Sequence, residues 1–126
     1  MQVRYVRLFT RSDGASCFED REAGLEAGFA VPPAEPLYSA RLSSAEVVFW
    51  IGGSATWKGD VPHPAPRRMI FVTVQGEYQI EASDGAMRKF PVGRVLLIED
   101  ITGAGHVTKV TSTEDAIILA VGLPAA

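Results

Sequence analysis

A chain of 126 residues is enough for one domain with a single core and too short for two. Hydrophobic residues at 47% and charged residues at 21% exclude a disordered or collagen-like chain. A net charge of −3 with no basic block gives no field that collects polyanions, so no nucleic-acid partner is expected.

In chain order, Val3 to Phe9 alternates polar and apolar residues and predicts a first strand, closed by a Ser-Asp-Gly turn at Ser12 to Gly14. Ser16 to Ala30 scatters Cys17, Phe18, Leu25 and Phe29 among charges without a period, and reads as an irregular strand or loop. Three prolines between Val31 and Pro36 remove amide donors and make that segment an extended connector. Short strands are expected at Leu37 to Arg41 and, rich in β-branched and aromatic residues, at Ala45 to Ile51.

From Met69 the pattern sharpens. Met69 to Gln75 and Glu77 to Ala82 are strands joined at Gly76, and Ser83-Asp84-Gly85 is a hairpin turn leading into Ala86 to Phe90. Val95 to Glu99, His106 to Thr111 and Ala116 to Val121 complete the series. Short strands punctuated by Gly and Pro, with no helical period, predict an all-β sandwich or barrel. The whole chain, 1–126, is one domain, with N-terminal strands and the Pro-rich connector over 1–60 and the core strands over 61–122.

The single cysteine, Cys17, excludes an internal disulfide and a Cys-based zinc site, and fits a reducing cytoplasm. The alternating N-terminus is unlike a signal peptide, and no apolar stretch approaches a membrane span, so no membrane partner is expected. Arg67 and Arg68 are adjacent, which sends them to opposite faces of an extended segment rather than into one patch.

The run His63-Pro-Ala-Pro-Arg-Arg-Met-Ile-Phe-Val-Thr-Val-Gln-Gly76 resembles the first motif of the cupins, in which a His-x-His pair and a Glu hold a metal together with a later His. His63 and Gly76 match it, but Ala65 and Met69 stand where the second His and the Glu belong. Gly93 to Lys109 resembles the second motif, with His106 two residues late, Glu99 in place of a Pro and Arg94 in place of an acidic residue. Phe29 to Pro33, His63 to Arg68, Asp84-Gly85 and Glu99 to His106 together look like a group of small single-domain cupins. That resemblance implies an all-β cupin, or jelly-roll, antiparallel β-barrel around a cavity, and a homodimer. It leaves the reaction open.

Within such a barrel, His106 and Thr108 face inward, and an imidazole titrating near neutrality suits general acid–base work, although a structural histidine bonded in the glycine-rich loop is the plainer reading. His63, stiffened between Pro62 and Pro64, is either a second polar group of the cavity or an exposed loop residue. Glu99 and Asp100 diverge, so only one of them faces the cavity. They either assist His106 or cap the turn by accepting amide hydrogens from Thr102 to Gly105. With two ligands missing, neither a metal nor another cofactor is expected. Met69, Phe71 and Tyr78 would line a pocket for a small organic ligand, with Trp50 and Trp57 at its rim and Arg67 near a ligand carboxylate or enolate. The leading expectation is a metal-independent lyase, isomerase or cyclase. A non-catalytic binding or sensing domain and a metal-dependent oxygenase are the alternatives.

Overall fold

The computed structural model describes residues 1–125. No helix occurs among them, and so no helix long and apolar enough to cross a membrane. β1 (Gln2–Thr10) and β2 (Ser16–Gly24) form a fully paired hairpin, its turn closed by the Ala15 amide donating to Asp13 Oδ1 at 3.0 Å. The irregular segment expected after Ser16 is therefore a regular strand. Its period is masked because β2 is an edge strand carrying Glu19, Asp20, Arg21 and Glu22 in succession, a composition that discourages pairing with another chain.

β3 (Glu26–Phe29) and β4 (Leu37–Ser39) flank the proline-rich connector and pair only with each other. β5 (Val47–Gly53) runs two residues beyond the expected end at Ile51, through Gly52 and Gly53. β6 (Met69–Gln75) and β7 (Glu77–Ala82) meet at Gly76, whose φ of 68° is the left-handed conformation that favours glycine. β8 (Met87–Pro91), β9 (Val95–Ile98), β10 (His106–Val110) and β11 (Ala116–Gly122) follow.

Six strands form one sheet in the order β2-β1-β9-β6-β11-β5, and three form another in the order β10-β7-β8. The loop before β6 extends the second sheet through isolated bridges, Lys58 to Lys109 and His63 to His106. Leu8, Met69, Leu96, Ile98 and Ile118 of the large sheet meet Tyr78, Ile80, Ala82 and Phe90 of the small one in a single buried cluster. Each fully buried Leu, Ile or Phe there contributes about 1.5–3 kcal/mol. A buried hydroxyl also joins the sheets, Thr73 Oγ1 of β6 donating to the Phe90 carbonyl of β8 at 3.1 Å.

Two features depart from the expected antiparallel barrel. β1 runs parallel to β9 from Val6 to Leu8, and the sheets face each other without a ladder that closes them into a ring. The large sheet is also apolar on its outer side, where Ile70, Leu97 and Leu123 are buried among Tyr5, Val72, Val95 and Val121.

Candidate functional site

The segment between β9 and β10 builds the site. Asp100 lies just beyond the end of β9, and its carbonyl accepts from the Ala65 amide at 3.0 Å. The chain then crosses to β10 through Gly103 and Gly105. Gly105 has a φ of 73°, and any side chain there would collide with the His63 carbonyl. This close approach lets His63 and His106 bond each other's backbones, at 3.2 and 3.0 Å. Ser16 braces the crossing from the other side, its Oγ donating to the Gly105 carbonyl at 2.6 Å while accepting from the Ser83 amide at 2.8 Å.

Two side chains that begin six positions apart are thereby brought together. His106 Nδ1 and Asp100 Oδ2 lie 2.5 Å apart, with His106 buried and Asp100 fully buried. A carboxylate on Nδ1 fixes the tautomer and leaves Nε2 free of protein partners among the described residues. Asp100 Oδ1 accepts no hydrogen bond, so the turn-capping role available to this residue in sequence is not the one it takes. The His63 ring lies 5.4 Å from that of His106. Its Nδ1 donates to the Pro64 carbonyl at 2.9 Å, because a carbonyl can only accept.

Both histidines line a cavity of about 280 Å³ between the sheets. Its wall is Ile51, Met69, Phe71, Tyr78, Ile98 and Ile118, with Trp57, Thr108 and Ala65 also reaching it. Ala65 and Met69, which stand where the first cupin motif has ligands, thus contribute a methyl and a thioether to the wall. Tyr78 is held by stacking on Phe90 at 5.0 Å and by an edge contact with Phe71 at 6.1 Å. Burial pushes its phenol well above the ordinary value, against a smaller opposing pull from Thr73, and its hydroxyl makes no hydrogen bond of good geometry. Among the described residues, no arginine or lysine lines this cavity.

Other residues of interest in the sequence lie elsewhere. Glu99 points to the opposite side of its segment, bridging Arg7 Nε and Arg68 Nε at 2.7 Å each. Burial raises its carboxyl, but the two guanidiniums outweigh that and hold it below the usual value. Arg67 is turned to Glu46 at 2.9 Å and to the Leu123 carbonyl at 3.2 Å. Trp50 stands on the outer side of the large sheet beside Val74 and Ile117. Burial raises the Cys17 thiol, which disfavours a thiolate nucleophile. Tyr78 was expected on the wall beside Met69 and Phe71, and its ring is there, but only packing shows its hydroxyl to be buried without a partner.

Among the described residues no three His, Cys, Asp or Glu side chains converge as a metal-ligand group. In comparisons with known proteins, no family model matches the chain and no curated protein matches it.

Proposed function

We propose that this chain is a small cupin-like domain that moves protons on a neutral organic molecule held between its sheets, a metal-independent lyase, isomerase or cyclase. The observation that carries the reading is the buried Asp100–His106 pair on the cavity wall, with Nε2 left for a ligand. In this role Nε2 removes a proton from bound substrate while Asp100 stabilises the imidazolium that forms, and the same nitrogen returns the proton to product. The ring of Tyr78, held by its stacking on Phe90, gives the substrate an apolar surface to pack against. An apolar wall without cations selects against carboxylates and phosphates and strengthens each of these interactions by excluding water. One free cysteine asks for no oxidising compartment, so we read the protein as cytoplasmic.

The test begins with a panel of neutral hydroxylated aromatic and alicyclic compounds, with binding followed by the emission of Trp57. For a compound that is turned over, His106→Ala and Asp100→Asn should each lower kcat by about 10²–10⁴-fold while changing Kd by only a few-fold. A change in Kd alone, with no turnover by the wild type, would identify a binding or sensing module. Activity that follows a stoichiometric ion, disappearing on chelation, would refute the metal-independent mechanism.

A further inference from the structure

β2 and β8 are edge strands of different sheets, and they face each other without sharing a ladder. Near the β1–β2 turn the gap between them is closed: the Asp84 amide donates to the Ser16 carbonyl at 3.2 Å, and the rings of Phe18 and Phe90 lie 6.3 Å apart. Further along, it opens into a groove of about 780 Å³. The sequence changes character at the same place. On the face of the hairpin that looks between the sheets, the cross-strand partners are Leu8 and Phe18, then Val6 and Asp20, then Arg4 and Glu22. On β8, Arg88 and Phe90 are two residues apart and so share a face. Charges therefore stand where a closed sandwich would carry apolar residues, beside Val6, Phe90, Pro91 and Val95 of the groove wall.

Five cations line this groove, Arg4, Arg21, Arg88, Lys89 and Arg94, against three carboxylates, Asp20, Glu22 and Glu77. That is a net charge of +2 in a chain whose total is −3, so the remaining side chains sum to −5. Charges that only keep a strand edge from pairing serve with either sign, and leave this surplus unexplained. Arg94 is its clearest part. It sits exposed in the turn between β8 and β9, and its guanidinium has no hydrogen-bonding or ionic partner among the described residues. The pairs made by its neighbours are open to water, Arg4 with Glu22 at 2.9 Å and Arg88 with Asp20 at 2.7 Å. Exposed pairs of this kind are weak, so a ligand anion can share or replace these carboxylates at little cost.

We propose that this groove is a second ligand site, for a small organic dianion such as a phosphate monoester or a dicarboxylate. Arg4, Arg88 and Arg94 take its charged groups, and its hydrocarbon part lies against Val6, Phe90 and Pro91. Guanidiniums suit both head groups because their paired N–H donors match two oxygens at once. The surplus balances one such ligand and is too small to gather a polymer of phosphates. The site is separate from the histidine cavity: Phe90 lines the groove, Tyr78 lines the cavity, and their stacked rings, 5.0 Å apart, stand between the two.

The nitrogen-15-labelled full chain is titrated with phenyl phosphate and, separately, with phthalate. In ~20 mM salt the amides of Arg4, Asp20, Phe90 and Arg94 should shift with a Kd below ~1 mM while those of His106 and Thr108 stay in place, and ~200 mM salt should weaken binding several-fold. The tighter compound identifies the head group. Phenol, which has the ring without the charge, should leave the groove amides unmoved. Arg94→Glu should weaken binding by about tenfold or more, since it removes charge-assisted hydrogen bonds and adds repulsion. If the charge reversal does not fold, Arg94→Gln gives the same test, with a loss of at least ~3-fold. Groove amides that stay in place up to ~10 mM of both dianions overturn the proposal. So do shifts centred on His106, or an affinity unchanged in a folded Arg94 variant.

Discussion

Replacing Tyr78 with Phe should make this protein more stable. The ring is 1% exposed and its contacts with Phe90 and Phe71 are those of a hydrocarbon, which Phe preserves. What disappears is a buried hydroxyl with no partner, whose uncompensated desolvation costs about 1–3 kcal/mol. The space left by one oxygen gives back some of this, through lost dispersion contacts of ~0.1–0.2 kcal/mol per atom pair. The net is a gain of roughly 0.5–2 kcal/mol, or several degrees in Tm for a domain of this size. Urea unfolding followed by circular dichroism measures it, with the midpoint moving up and the slope unchanged. A variant that is less stable than the wild type by 1 kcal/mol or more would show that the hydroxyl is already hydrogen-bonded within the protein. The neighbouring Thr73 hydroxyl would then be its partner.

Glu99→Gln should destabilise the fold by about 1.5–3 kcal/mol near neutral pH, since two charge-assisted hydrogen bonds to Arg7 and Arg68 are weakened together. Because this carboxyl is depressed in the folded state, its contribution is complete above the unfolded value of about 4.3 and is lost as pH falls through the lower folded value. The gap between wild type and variant in thermal melts should therefore close in acid, and a gap that widens there would contradict the bridge. Gly105→Ala places a side chain against the His63 carbonyl at positive φ, so about 1–2 kcal/mol of backbone strain adds to the loss of the two His63–His106 backbone bonds. A loss of about 2–4 kcal/mol in urea unfolding is expected, and a change below ~0.5 kcal/mol would mean that the crossing relaxes freely.

The strands from β6 to β11 were legible because glycine, proline and Asp-Gly punctuate runs too short for helices. β2 was not, because its charges follow the needs of an edge rather than the two-residue period. Parity along β9 separated Glu99, on the side of Val95 and Leu97, from Asp100, on the side of Leu96 and Ile98. Parity alone gave no inward direction, since both sides of that strand are apolar. The same ambiguity explains Trp50 and Trp57: both are aromatic residues near the cavity strands in sequence, but one faces out from the large sheet and the other lines the cavity. Arg67 looked suited to a ligand because it follows the His63 loop, and its partners Glu46 and Leu123 are visible only once distant segments are folded together.

The short separation of Asp100 and His106 in the chain has an evolutionary consequence. Closing a loop of so few residues forfeits little chain entropy, so once Ser16 and the His63 loop hold the crossing the pair costs little more to bring together. Most of the ligand-facing wall comes instead from β5, β6, β7, β11 and the segment between β5 and β6. Substitutions that reshape what the cavity admits can therefore accumulate on those segments while the proton-handling unit passes unchanged from one descendant to the next.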